Sequence, residues 1–452
     1  MEASTIEQLE QELRRAIAGR RPEAVAEALR AIPGEELYRV LMSLSDNGLS
    51  VTFALLGAEG AAKVFERMDA AQAAEVLHRF SLAQAADILE EMAPDDAADV
   101  VEELDPLTAE GILVEMHQEE AQDIRELMGY RPDSAGGIMT PAYVAVSPNL
   151  TAGEVLRAVQ RLAEEAETVY YVYVVDEADR LQGVLSLRDI VLKPRKTPVT
   201  EIMNRDVARV RADDDQELAA RLLSERRLLA IPVVDAEDRL LGIITADDVA
   251  DVLQEEATED IERLGGSQPL EVPYMHAGVA QLVRKRVGWL LLLFVAGAYT
   301  SNVLAHFEGT LSQVVELAFF IPLLIGTGGN VGSQIVTTLV RAMAVGELGF
   351  PDVLRVIRKE LVVGLFLGGV MAAATLIRAA TLHVSLDVGL AVAVAALFIV
   401  LWSALVASIL PLTLRRLRAD PAVVSAPLIT TLVDGTGLII YFTIANLLLD
   451  VT

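Results

Sequence analysis

The chain has 452 residues, no cysteine and a net charge of −28, a length that fits two or three domains. The missing cysteines exclude disulfides, thiolate metal sites and thiol catalysis, and the five histidines (His78, His117, His276, His306, His383) show no zinc spacing. Any bound metal is therefore held by oxygen, which suits Mg2+, Ca2+ or Mn2+. The charge is unevenly shared: residues 271–452 hold ten acids against eleven bases, whereas residues 1–270 hold 55 against 26. A region that acidic repels nucleic acid and attracts cations.

The start, MEASTIEQLEQELRRA, reads as an amphipathic helix and not as a signal peptide. Residues 1–270 are therefore expected on the cytoplasmic side. Residues 1–132 read as an all-α helical repeat. The pentads Ala61–Phe65, Ala73–Leu77, Ala85–Leu89, Ala97–Val101 and Ala109–Leu113 start twelve residues apart, one short helix and a turn, with Pro94 and Pro106 at junctions. Acids such as Asp95, Asp96 and Asp99 are expected to point outward.

A second repeat fills residues 133–253. Met139-Thr-Pro leads to Asp176, Gly183 and Asp189, and Met203 leads to Asp235, Gly242 and Asp248, with Asp-to-Gly spacing of seven and Gly-to-Asp spacing of six in both copies. Each copy carries an apolar strand (Tyr171–Val175; Ala230–Val234), a polar turn, a second strand and a helix that begins at an acid. This α/β pattern resembles the tandem cystathionine-β-synthase (CBS) domain. The resemblance implies an adenine nucleotide such as ATP as a candidate ligand, held at Ser186 with Asp189 and at Thr245 with Asp248.

Residues 254–270 form an acidic connecting helix that ends at Gly265-Gly266. Five membrane segments are expected over residues 271–452: Val287–His306, Leu311–Leu339, Val362–Leu382, Leu386–Leu410 and Pro427–Leu449. Basic clusters at Arg284-Lys285-Arg286, at Arg341 with Arg355, Arg358 and Lys359, and at Arg415, Arg416 and Arg418 fall on one side. By the positive-inside rule this gives a multi-pass protein of the cell (inner) membrane, N-terminus cytoplasmic and C-terminus outside, in contact with lipid. The second segment contains GTGGNVGSQ (Gly326–Gln334), a glycine-rich break in apolar sequence, and Gly364 and Gly368 in the third permit tight helix packing.

The last segment, PLITTLVDGTGLIIYFTIANLLL, holds one acid, Asp434. A carboxylate at bilayer depth costs about 2.5–3.5 kcal/mol even on insertion scales, so it faces a polar cavity, a partner charge or a cation. Thr430 and Thr431 share its helical face, Gly435 and Gly437 follow, and no base lies near it in sequence. Two other readings stay open at this point. One is a divalent-cation carrier driven by ion or proton exchange, including export. The other is an intramembrane aspartyl protease, suggested by Asp434-Gly-Thr-Gly and weakened by the inserted glycine and the missing second acid.

The order of helical repeat, CBS pair, acidic helix and membrane segments with GTGGNVGSQ and TLVDGTGLIIYF resembles the MgtE-type magnesium channels over essentially the whole chain. The resemblance implies no enzyme but a homodimer with a pore between subunits, passing Mg2+ (or Mn2+ and Co2+) inward and closed by cytoplasmic Mg2+. It places the pore acid on Asp434 with Thr430 one turn away, and the inner mouth on Asp420 with Glu259 and Asp260. Regulatory ligands fall on Asp215, Glu217, Asp248, Asp251 and Glu256, and on Asp95 and Asp99. Three positions depart from the family pattern: Ala426 stands in place of an Asn, and Lys63 and Arg227 in place of acids. The two bases imply built-in salt bridges and fewer ion sites.

Overall fold

A computed structural model describes residues 3–163, 166–270, 274, 277–417, 420 and 423–450. His276 and Arg418, named above, lie outside these residues. The chain divides into two compact units, Met1–Gln254 and Glu255–Thr452.

Among the described residues the first unit opens with the helices α1 (Ala3–Ala18), α2 (Pro22–Ala31), α3 (Gly34–Met42), α4 (Asp46–Phe65, broken at Gly57), α5 (Ala70–Leu77), α6 (Leu82–Leu89), α7 (Pro94–Glu102), α8 (Pro106–Glu115) and α9 (Gln118–Leu127). From α5 onward each helix starts twelve residues after the last. The starts are set by capping: Asp69 accepts from Ala71 N, Ser81 from Gln84 N, and Asp105 from Leu107 N and Thr108 N. Pro94 and Pro106 fill first-turn positions, where no amide hydrogen is needed. Each helix packs on the next but one, α4 on α6, α5 on α7, α6 on α8 and α7 on α9. The pentads explain why: Ala-Ala and the two terminal apolar residues are buried, and the middle residue (Lys63, Glu75, Asp87, Asp99) is exposed. Asp95 departs from the expected outward direction. It is buried, and Asp96 is half-buried, because they stand in the first turn of α7 and not on the exposed middle position of the pentad.

The unit continues with two three-stranded sheets. Strands β1 (Ala145–Val146), β2 (Tyr171–Val175) and β3 (Leu181–Ser186) form one in that order. Strands β4 (Val210–Arg211), β5 (Ala230–Val234) and β6 (Leu240–Thr245) form the other. In each sheet the first pair is parallel and the second antiparallel. Helices α10 (Ala152–Leu162), α11 (Leu187–Leu192), α12 (Val199–Ile202), α13 (Gln216–Arg226) and α14 (Ala246–Leu264) complete the pair, and the division between units falls inside α14. The two copies are exchanged at their starts. Thr140 bridges Ile243 of the second copy, and Asn204 bridges Val184 of the first.

This exchange accounts for the two matched glycines. A Cβ on Gly242 would stand 2.8 Å from Thr140 O and 2.9 Å from Met139 Cγ, and one on Gly183 would stand 2.9 Å from Asn204 O. Gly242→Val is therefore expected to cost about 1–3 kcal/mol by overpacking. In calorimetry of the full chain it should lower the unfolding midpoint of this unit by roughly 5 °C.

The second unit is helical: α15 (Val279–His306), α16 (Glu308–Gln313), α17 (Ile321–Ala344) after a 3-10 turn at Val315–Phe320, α18 (Val353–Thr381), α19 (Leu386–Arg416) and α20 (Ala426–Leu449). Helices α17, α19 and α20 pack on one another, α18 packs on α19, and α15 on α20. Among the described residues six helices are long and apolar enough to cross a membrane, not the five expected. The additional one is Asp46–Phe65 in the first unit, where Leu49, Phe53, Val64 and Phe65 are buried in the core of the helical repeat. The glycine-rich stretch of the second expected segment is not a break. Helix α17 runs through it unbroken, and the glycines admit neighbours: a Cβ on Gly329 would meet Thr430 at 2.7 Å, and one on Gly332 would meet Ile429 at 2.5 Å.

Candidate functional site

Helix α20 is fixed by polar contacts made to every side. Ser425 caps it and accepts from Trp289 Nε1 at 3.2 Å. Trp402 Nε1 donates to Thr436 Oγ1 at 2.9 Å, and the Tyr441 hydroxyl donates to Leu317 O at 2.9 Å. Asp434 projects from this rigid helix, half-buried, with its Oδ1 sealed from solvent and without a hydrogen-bond partner. Among the described residues no ion pair reaches it.

The two threonines expected to add oxygens beside Asp434 donate their hydroxyl hydrogens to the carbonyl four residues back. Thr430 Oγ1 donates to Ala426 O at 3.0 Å and lies 3.3 Å from Ser333 Oγ of α17, while Thr431 Oγ1 donates to Pro427 O at 2.8 Å. Ala426 brings a methyl where an amide was expected, but its carbonyl is engaged by both Thr430 and Ser333.

Below α20 in sequence, Asp420 pairs with Arg263, which also pairs with Glu259. Asp260 is pushed up to about 6, by burial first and then by the charges of Asp420 and Glu256, with Arg341 acting against them. Arg263 thus supplies positive charge to this group of acids. Its spacing of four from Glu259 was visible in the sequence. Two bases of the last cluster meet the end of α17 and the loop after it: Arg415 donates to Met343 O and Leu348 O at 3.2 and 2.9 Å, and the Arg416 guanidinium sits 4.2 Å over the Phe350 ring.

In the first unit a separate set of acids gathers. Asp95 is held well above the usual carboxylate range by burial and then by Asp248 and Asp96. Burial and the charges of Glu66, Asp248, Asp99 and Glu167 push Asp96 up to about 7. Glu167 is raised by burial and by Asp248, Asp247 and Glu66, and Asp248 by burial in spite of bonds from Thr245. Asp96 was expected only to point outward and Glu167 was not singled out, because only the fold carries them to Asp248. Asp215 caps α13 by accepting from Glu217 N, and Asp215, Glu217, Asp251 and Asp99 are exposed. Glu256 is half-buried. Among the described residues no three His, Asp or Glu side chains converge on a preformed metal position. Lys63 pairs with Glu59 of its own helix at 2.6 Å, and Arg227 ends α13 in the left-handed region at φ 53°.

Ser186 and Thr245 occupy equivalent places in the two copies. Ser186 Oγ donates to Asp189 Oδ2 at 2.6 Å and accepts from Asp189 N, and Thr245 Oγ1 lies 2.5 Å from both Asp247 Oδ1 and Asp248 Oδ2. A cleft of about 230 Å3 opens elsewhere between the copies, lined by Tyr171, Tyr173, Asp206, Arg226 and Pro232 among others, and Ser186, Asp189 and Thr245 are not in its walls. The buried Tyr173 hydroxyl lacks a partner.

Residues 321–444 match the family described as MgtE, divalent cation transporter. Residues 20–133 match the MgtE intracellular N domain, and residues 135–195 and 199–255 each match the CBS domain. Over 328 residues, 73% of each chain, the sequence is 47% identical to the magnesium transporter MgtE of Thermus thermophilus. The chain belongs to the MgtE family. It is also 36% identical to the magnesium transporter MgtE of Bacillus subtilis over 331 residues, again 73% of each chain. A crystal structure of the soluble part of a magnesium transporter aligns with a TM-score of 0.51 at 33% identity, covering 56% of this chain and 99% of that one. MgtE proteins are transporters, so the protease reading of Asp434-Gly-Thr-Gly falls. The CBS pair and the several apolar helices stand as parts of a multi-pass membrane protein.

Proposed function

We propose that the protein is a Mg2+ channel in which Asp434 selects the ion and Mg2+ bound to the cytoplasmic acids closes the path. The observation that carries the reading is the Asp434 carboxylate, half-buried on an apolar helix, with its Oδ1 sealed from solvent and, among the described residues, without a hydrogen-bond partner. A cargo cation is its simplest partner, because an acid there is costly unless charge or water meets it. Mg2+ sheds water reluctantly, so a carboxylate suits it best as a contact to its hydration shell. With one such acid per chain, a homodimer with the path between its subunits supplies two.

The domain limits that go with this reading are 1–132, 133–253, 254–270 and 271–452, with five spans formed by α15, α17, α18, α19 and α20. The sixth apolar helix, Asp46–Phe65, then stays in the soluble domain, where its apolar face is already covered. The gathering of Arg415 and Arg416 with the 343–350 loop supports one basic, cytoplasmic side, with Asp420 at the inner mouth and the C-terminus outside. Mg2+ then enters the cell through lipid-embedded helices.

Closure follows from charge. Acids on Asp95, Asp96 and Glu167 face Asp248, and acids on Glu256, Glu259 and Asp260 face Asp420. Ions that bind these groups favour the arrangement that holds them together. Taking such a gate from 1:99 to 99:1 needs about 5.5 kcal/mol of differential binding, which several weak sites supply jointly. Exposed Asp99, Asp215, Glu217 and Asp251 add to the ion-attracting surface. The aromatic and Arg226 walls of the CBS cleft suit the base and phosphates of an adenine nucleotide.

The test is Mg2+ entry into proteoliposomes at varied internal Mg2+. Entry should fall at least about tenfold as internal Mg2+ rises from micromolar to ten millimolar, and weakening Asp95 and Asp248 together to Asn should move the closing concentration upward. Entry that ignores internal Mg2+ would remove the gate. Single-channel currents separate a channel from a carrier.

A further inference from the structure

Helix α15 meets α20 at Gly435, the residue after Asp434. A Cβ there would stand 2.5 Å from the Tyr299 ring and 3.2 Å from Thr300 Oγ1, so only the bare glycine lets α15 come so near. Threonines elsewhere on the membrane helices return their hydroxyls to the carbonyl four residues back: Thr327 to Leu323 O, Thr338 to Gln334 O, Thr375 to Met371 O and Thr413 to Ile409 O, at 2.7–2.8 Å. Thr300 does not. Its Oγ1 is sealed from solvent and without a partner. Among the described residues of the second unit, the only two buried side-chain oxygens left so are Thr300 Oγ1 and Asp434 Oδ1.

Two unsatisfied oxygens, one able to donate and one able to accept, thus flank a single glycine contact. Successive helix residues project about 100° apart, so Asp434 leaves α20 on the flank of the face that Gly435 turns to α15. At this depth no other solvent competes for either group.

We propose that Thr300 is a positioning residue for the Asp434 carboxylate: its hydroxyl donates to Oδ1 when a cation occupies the site, holding Oδ2 toward the ion's water shell. The two are not bonded in the present conformation, and the proposal requires side-chain movement that brings them together. The inference deepens the channel reading and rests on it. It also gives Gly435 a purpose, since a larger residue would push α15 and its hydroxyl away.

The experiment is Mg2+ entry against external Mg2+ for native chain, Thr300→Val, Thr300→Ser and Asp434→Ala in proteoliposomes. Thr300→Val keeps the shape and removes the donor. It should raise the half-saturating Mg2+ about tenfold, the loss of one hydrogen bond to a charged group, with a smaller change in maximal entry. Thr300→Ser restores the hydroxyl and should lie within about twofold of native. The proposal is overturned if Thr300→Val matches native while Asp434→Ala is inactive, or if Thr300→Ser loses as much as Thr300→Val, which would make methyl packing the cause. If Asp434→Ala conducts as native does, the pore-acid reading fails first and this inference falls with it.

Discussion

Replacing Asp434 by alanine should lower Mg2+ entry at least about a hundredfold, with Asp434→Asn between the two. The figure follows from what the carboxylate does. A hydrogen bond to a charged group is worth about 1.5–3 kcal/mol, and at about 1.4 kcal/mol per tenfold the loss of one strong contact or two weaker ones spans that range. The substitution should leave the fold intact, because among the described residues the sealed Oδ1 of Asp434 makes no hydrogen bond that holds α20. That helix is held by Trp289 to Ser425, Trp402 to Thr436 and Tyr441 to Leu317 O. Removing a carboxylate whose Oδ1 has no partner relieves a desolvation cost, so Asp434→Ala should unfold no earlier than native. A variant that is as stable as native and does not conduct identifies a working acid. One that conducts as well as native identifies a structural acid.

Much of this architecture was legible as spacing. The twelve-residue pentads give helices α5 to α9 at twelve-residue intervals, and the strands Tyr171–Val175 and Ala230–Val234 fall where the alternation of the repeat put them. What spacing cannot show is which elements from distant parts of the chain become neighbours. Asp95 reads as a surface acid beside the apolar face of its own helix, yet it is buried, and its neighbour Asp248 lies over 150 positions away in sequence. The glycines of GTGGNVGSQ read as a break, and only the positions of Ile429 and Thr430 show them to be contacts. The bonds of the Thr430 hydroxyl to Ser333 and the Ala426 carbonyl were likewise not legible in the sequence. Residues 46–65 are as apolar as a membrane helix by composition, and what distinguishes them is the core they pack into and the break at Gly57, where φ is 72°.

The acids around Asp248 should make α7 a pH- and Mg2+-sensitive element. Asp96 is pushed up to about 7 in the folded chain, against about 3.9 for an unperturbed aspartate. A group with its folded value raised binds protons in the folded state. Its contribution is therefore full below about pH 4 and is lost as pH rises through about 7. One pKa unit is about 1.4 kcal/mol, and Asp96 keeps some solvent, so its share at pH 8 is on the order of 2–4 kcal/mol of lost local stability. Asp95, Glu167 and Asp248 shift the same way and add to it. In hydrogen–deuterium exchange of the full chain without divalent ions, and after correction for intrinsic rates, residues 94–102 should lose about ten- to a hundredfold of protection between pH 5.5 and pH 8. Millimolar Mg2+ should restore most of it at pH 8 and change little at pH 5.5, where protons already neutralise the acids. Asp96→Asn should flatten the pH dependence, because an amide has no charge to desolvate. Protection of 94–102 that is indifferent to both pH and Mg2+ would separate these acids from ion sensing. The closing response would then rest on the Asp260, Glu259 and Asp420 group alone, where Arg263 already holds part of the counter-charge.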